Sequence, residues 1–123
     1  QQWIAPLYRV VEMYPVNLLA QAAAEAALMD TDHVTRSFAA VQTGKAYLMQ
    51  ELTALGLNPL PSQANYIFVD VKKPVRQVAQ ALLAAGILIR SGESWGYPTC
   101  LRVSVGTAAE NEAFIAALRA ILV

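Results

Sequence analysis

The chain has 123 residues, the length of one ordinary domain and enough to bury a core without disulfide or metal support. Nine basic residues balance nine acidic ones, which argues against nucleic acid or an anionic membrane as the main partner. One cysteine and one histidine exclude an internal disulfide framework and a multi-cysteine or histidine-rich metal site.

Hydrophobic residues make up 56% of the sequence and charged residues only 15%, whereas charged residues usually approach about a quarter. Either an apolar surface meets a partner or alanine-rich helices inflate the count. The apolar runs are too short for a membrane span of about 20 residues. Leu18 to Met29 carries Gln21 and Glu25, and Ala81 to Ile89 ends at Arg90. No charged and apolar leader opens the chain, so no signal peptide is expected and a cytoplasmic location is.

Residues 1–14 show no clear period, and their start without methionine or a capping pattern fits a segment continuing from elsewhere. Pro15 and Asn17 suit the start of an alanine-rich helix over about 17–29. Asp30, Thr31 and Asp32 make a break, with Thr31 or Asp32 placed to cap a long helix over about 33–55. Val34, Phe38, Val41, Leu48, Leu52 and Leu55 form its apolar stripe. Gly44 and Lys45 fill the one gap: the glycine suggests close packing there, and the lysine is expected to extend its charge to water. Gly56 ends the helix.

Residues 57–63 hold two prolines and read as loop or edge strand. Residues 65–71 are β-branched and aromatic with apolar side chains on both faces, as in a strand covered twice. Lys72, Lys73 and Pro74 make a turn with solvated charges. A helix follows over about 75–85, ended by Gly86, then a short strand at 87–90, a loop with Gly92, Gly96 and Pro98, and a strand at about 100–105. Thr107 and Glu110 form a capping box that opens a last helix over 108–122. The expected fold is therefore α+β: a small, largely antiparallel sheet packed against four helices.

Alternation in the strand at 100–105 puts Leu101, Val103 and Val105 on one face and Cys100, Arg102 and Ser104 on the other. A guanidinium in mid-strand is costly unless an anion meets it, and its planar fork fits a carboxylate or phosphate. An internal carboxylate is the alternative partner. Arg90, at the end of the preceding strand, can converge on the same anion or simply be exposed. His33 reads as a surface residue and Cys100 as a small strand residue with nothing to lower its pKa. No glycine-rich phosphate loop and no nucleophile elbow appears, and no complete catalytic site is visible.

Three segments, in order and spacing, resemble the C-terminal domain of histidinol-phosphate aminotransferases, which are fold-type I enzymes using pyridoxal phosphate. They are Tyr14-Pro-Val-Asn-Leu-Leu-Ala-Gln-Ala-Ala-Ala24, Pro61-Ser-Gln-Ala-Asn-Tyr-Ile-Phe-Val69, and Gly86-Ile-Leu-Ile-Arg90 followed by Leu101-Arg-Val-Ser-Val-Gly-Thr107. The resemblance implies that residues 1–14 lead in from a large cofactor-binding domain and that 15–123 form the small domain. It also implies that Arg102 grips the acidic group of the substrate and that Arg90 assists with its phosphate.

Pyridoxal phosphate would belong to the full-length enzyme, where histidinol phosphate donates an amino group and 2-oxoglutarate accepts it, within a homodimer. The Schiff-base lysine of the family lies in the large domain. Lys45, Lys72 and Lys73 are not in its context, so this chain alone is expected to hold no cofactor and no catalytic residue. The alternative is a stand-alone α+β module that binds an anionic small molecule or a partner protein without chemistry.

Overall fold

A computed structural model of the chain describes residues 4–11 and 13–122. Residues 1–3 and 12 of the expected lead-in, and Val123, lie outside the described residues. The chain divides after Thr35 into two compact units.

The first unit holds α1 (Ile4–Leu7), α2 (Leu18–Met29) and the start of α3 (Thr31–Ala54). Asn17 caps α2 as expected, its Oδ1 accepting the Ala20 N–H at 2.9 Å. All twelve residues of α2 are exposed, including Leu18, Leu19, Leu28 and Met29. Its helicity within this unit therefore rests on alanine propensity and the cap. The break before α3 is tighter than the sequence suggests. Asp30, not Thr31 or Asp32, caps α3, its Oδ1 accepting the His33 N–H at 2.8 Å. The Asp30 N–H in turn donates to the Ala27 carbonyl at 3.2 Å, so one residue closes α2 and opens α3.

The second unit contains the rest of α3, β1 (Asn58–Pro59), β2 (Tyr66–Asp70), α4 (Val75–Ala84), β3 (Arg90–Ser91), β4 (Cys100–Ser104) and α5 (Ala108–Leu122). The strands form one antiparallel sheet in the order β1-β2-β4-β3. Ile67 and Val69 of β2 alternate onto the same face as Leu101 and Val103 of β4, and that face meets Leu48 and Leu52 of α3, Val75, Val78 and Leu82 of α4, and Phe114, Ile115 and Leu118 of α5.

Several expectations change in detail. β2 is covered on one face only: Tyr66 is exposed and Phe68 half-buried on the other. The expected strand at 87–90 shrinks to Arg90–Ser91. The Ile87 N–H is taken by the Leu82 carbonyl at 2.9 Å as α4 ends, so ladder pairing begins only at Arg90. The apolar stripe of α3 enters the core only at its C-terminal half, where Leu48 and Leu52 are buried, whereas Val34 and Phe38 are exposed.

Close packing at Gly44 is seen, because a Cβ there would lie 2.6 Å from Val105 Cγ1 and 2.8 Å from Asn111 Nδ2. Lys45 does not extend to water; it is buried, with its Nζ donating to the Ala64 carbonyl at 3.3 Å. Lys72 and Lys73 are exposed, but their charges are put to structural use. Lys72 Nζ donates to the Gly56 carbonyl beyond the end of α3 at 2.8 Å. Lys73 Nζ donates to the Ile121 and Leu122 carbonyls of α5 at 3.0 and 2.9 Å. Both amines sit where the negative end of a helix dipole favours a cation.

Candidate anion-binding site

The face of the sheet turned away from the core carries the candidate site. β4 runs between β2 and β3, and its register sets Arg102 opposite Phe68 on one side and opposite Arg90 on the other. Arg102 is half-buried, and its Nε is buried with no hydrogen-bond partner among the described residues. Its guanidinium carbon lies 4.9 Å from the centre of the Tyr66 ring and 5.9 Å from that of Trp95. Arg90 is exposed, with its guanidinium 5.6 Å from the Trp95 ring.

The loop between β3 and β4 supplies the aromatic wall. The Gly92 N–H donates to the Cys100 carbonyl at 2.8 Å, and the Gly92 carbonyl accepts from Trp95 and Tyr97 at 2.9 and 3.0 Å. A Cβ at Gly92 would come within 2.8 Å of the Cys100 and Tyr97 carbonyl oxygens, so only glycine fits. Gly96 follows the short helical turn Glu93–Trp95 in the left-handed region, at φ 82°. The loop so held turns Trp95 and Tyr97 toward Phe68, with ring centres 6.3 Å apart for Trp95 and 5.6 Å apart, edge to face, for Tyr97. With Leu60, Tyr66 and Arg102 these rings line an open cavity of about 500 Å³.

The electrostatics favour an anion. Among the described residues neither arginine forms an ion pair; the pair of Arg119 with Glu51, at 3.0 Å, involves neither. The internal carboxylate that stood as the alternative partner for Arg102 is therefore not seen among them. A buried, unmade hydrogen bond costs about 1–3 kcal/mol, and like charges directly opposed across a strand pair repel. A carboxylate or phosphate in the cavity can relieve both through bidentate bonds.

The remaining sequence candidates contribute no second site. Burial pushes the Cys100 thiol above its usual pKa and the nearby Asp70 carboxylate adds to this, against a smaller lowering by a hydrogen bond with Thr99, so the thiol stays neutral. His33 is exposed. Among the described residues no group of three or more His, Cys, Asp or Glu can hold a metal ion, and no helix is long and apolar enough to cross a membrane.

Sequence patterning singled out both arginines but not Trp95, Tyr97, Phe68, Tyr66 or Leu60. A signal was present: Tyr66 and Phe68 alternate on the Arg102 face, and the loop between the two arginine-bearing strands holds two aromatic residues.

An antiparallel sheet with one face packed on helices and two paired arginines on its open face is a geometry suited to holding an anion. The family model for aminotransferase class I and II matches residues 1–118, and the chain belongs to that family. It is similar to the histidinol-phosphate aminotransferase of Moorella thermoacetica, at 49% identity over 119 residues, which covers 97% of this chain and 31% of that protein. It is also similar to the histidinol-phosphate aminotransferase of Symbiobacterium thermophilum, at 45% identity, covering 97% and 33%.

Among solved structures, the histidinol-phosphate aminotransferase of Sinorhizobium meliloti, in complex with pyridoxal-5'-phosphate, matches with a TM-score of 0.80 at 26% identity, covering 95% of this chain and 33% of that one. The chain thus spans about a third of the length of these relatives.

The family implies pyridoxal phosphate for the whole enzyme. The amines of Lys45, Lys72 and Lys73 all donate to backbone carbonyls, so none is presented to the open face of the sheet as a carbonyl-reactive group.

Proposed function

We propose that this chain is the substrate-gripping small domain of a pyridoxal-phosphate-dependent aminotransferase that moves an amino group from histidinol phosphate to 2-oxoglutarate. The carrying observation is the Arg102 guanidinium, partly desolvated between aromatic rings and unpaired among the described residues, with Arg90 directly opposite. The names of the relatives support the amino donor and the class of reaction.

In this reading the cofactor, held by a large domain, supplies the electron sink for amino transfer. The present residues bind and orient. Arg102 takes two oxygens of the substrate anion through its planar fork, Arg90 adds a second positive charge, and the aromatic wall partly desolvates Arg102. The partners are the large domain of the same chain and a second subunit. The exposed apolar side chains Leu18, Leu19, Leu28 and Met29 support such contacts. The expected place of work is the cytoplasm.

The test uses the full-length protein. Arg102→Ala removes hydrogen bonds to a charged group, a loss of about 1.5–3 kcal/mol. The KM for histidinol phosphate should rise by roughly one to two orders of magnitude while the cofactor absorbance stays unchanged. Loss of the cofactor in that variant, with substrate affinity retained in the remainder, refutes the assignment.

A further inference from the structure

The grip formed by Arg102 and Arg90, on which this inference rests, contains an internal conflict. The two residues are directly opposed across the β3–β4 pair, where like charges repel. Among the described residues no carboxylate pairs with either. The acidic residue of the intervening loop, Glu93, faces the Ser91 hydroxyl, which donates to it at 3.4 Å. Something other than a counter-charge has to keep the two guanidiniums side by side.

The Trp95 indole is within cation–π reach of both, at 5.6 Å from Arg90 and 5.9 Å from Arg102, whereas Tyr66 reaches Arg102 alone. The indole lies tilted against the Phe68 ring, and the Trp95 backbone N–H, which donates to the Gly92 carbonyl at 2.9 Å, holds the loop that carries it. Trp95 is 45% exposed and lies outside the buried core cluster.

We propose that Trp95 is a positioning residue. Its electron-rich ring partly offsets the repulsion between the two arginines and presents them as one doubly charged clamp, matched to a dianion such as a phosphate monoester rather than to a single carboxylate. Tryptophan has the strongest ring quadrupole for this task, phenylalanine a weaker one, and leucine none.

The experiment titrates inorganic phosphate into the chain and follows the arginine Nε–H resonances by nuclear magnetic resonance, in the parent and in Trp95→Phe, Trp95→Leu and Arg102→Ala. In the parent, the Arg90 and Arg102 signals should both carry the ring-current shift of the indole and move together as phosphate binds. Trp95→Phe should stay within about threefold of the parent affinity, and Trp95→Leu should weaken it by roughly tenfold, with the amide signals of Leu101 and Val103 unmoved.

Phosphate binding by Trp95→Leu as tight as in the parent overturns the proposal. So does the lack of a shared ring-current shift in the parent, a measurement that needs no variant to fold. If the parent binds no phosphate, or if Arg102→Ala binds it unchanged, the anion grip itself is wrong. If Arg102→Ala abolishes binding while Trp95→Leu is harmless, only the role of Trp95 falls.

Discussion

At Gly44 a single hydrogen atom sits where any other residue would place a carbon against Val105 and Asn111. Asn111 is itself buried and holds Gly106 from both sides, its Oδ1 accepting the Gly106 N–H at 2.9 Å and its Nδ2 donating to the Gly106 carbonyl at 3.0 Å. It cannot retreat without giving up those bonds. Gly44→Ala gains about 1 kcal/mol of helix propensity but overpacks a rigid contact, which costs about 1–3 kcal/mol. Urea denaturation should show a net loss of stability; a gain would mean that α3 and the start of α5 shift apart freely.

Lysines show where residue type alone misleads. Lys45 reads from the sequence as reaching water and instead lies buried, because its Nζ donates to the Ala64 carbonyl 19 positions along the chain, and that long-range neighbour has no local signature in the sequence.

At the level of elements, helix ends were legible because caps are local. The capping box of α5 forms as the spacing predicts: Glu110 Oε2 accepts from the Thr107 N–H and from the Thr107 hydroxyl, both at 2.8 Å. These bonds favour the ionised carboxylate and hold its pKa below the ordinary 4.5, the backbone bond contributing most. A depressed folded pKa contributes stability that is present above the unfolded value and is lost as pH falls through the folded one. The parent should therefore lose more stability than Glu110→Gln as pH drops from above 4.5 to below the folded pKa, in denaturation midpoints measured across that window. Equal pH dependence in the two proteins would show that the box contributes nothing.

Strand ends were less legible. Residues 87–89 have strand-like composition, but pairing depends on which carbonyl takes the Ile87 N–H, and the end of α4 takes it. The aromatic wall was hidden for a related reason. Where Trp95 and Tyr97 point is set by the backbone path through Gly92 and Gly96, which no hydrophobic period reports.

For the molecule as a whole, burial is unevenly shared. The core cluster and the partly buried residues packed on it all lie at or after Tyr47, while the large apolar residues Leu18, Leu19, Leu28, Met29, Val34 and Phe38 are exposed. The apolar excess of the composition is thus partly alanine and partly uncovered surface, and a stripe such as that of α3 tells that a face is meant to be covered without telling by what. A chain shortened to residues 36–123 should unfold cooperatively with a denaturant midpoint close to that of the parent. Loss of the cooperative transition would mean that the first unit contributes to the core of the second.

The two lysines after β2 give that second unit a fastening of its own. One short turn reaches the carbonyl beyond the end of α3 with its first amine and the last carbonyls of α5, 48 and 49 positions along the chain, with its second. Acylating reagents, usually treated as passive labels of surface amines, would here strip the charge from both clasps and loosen two helix tips in one step.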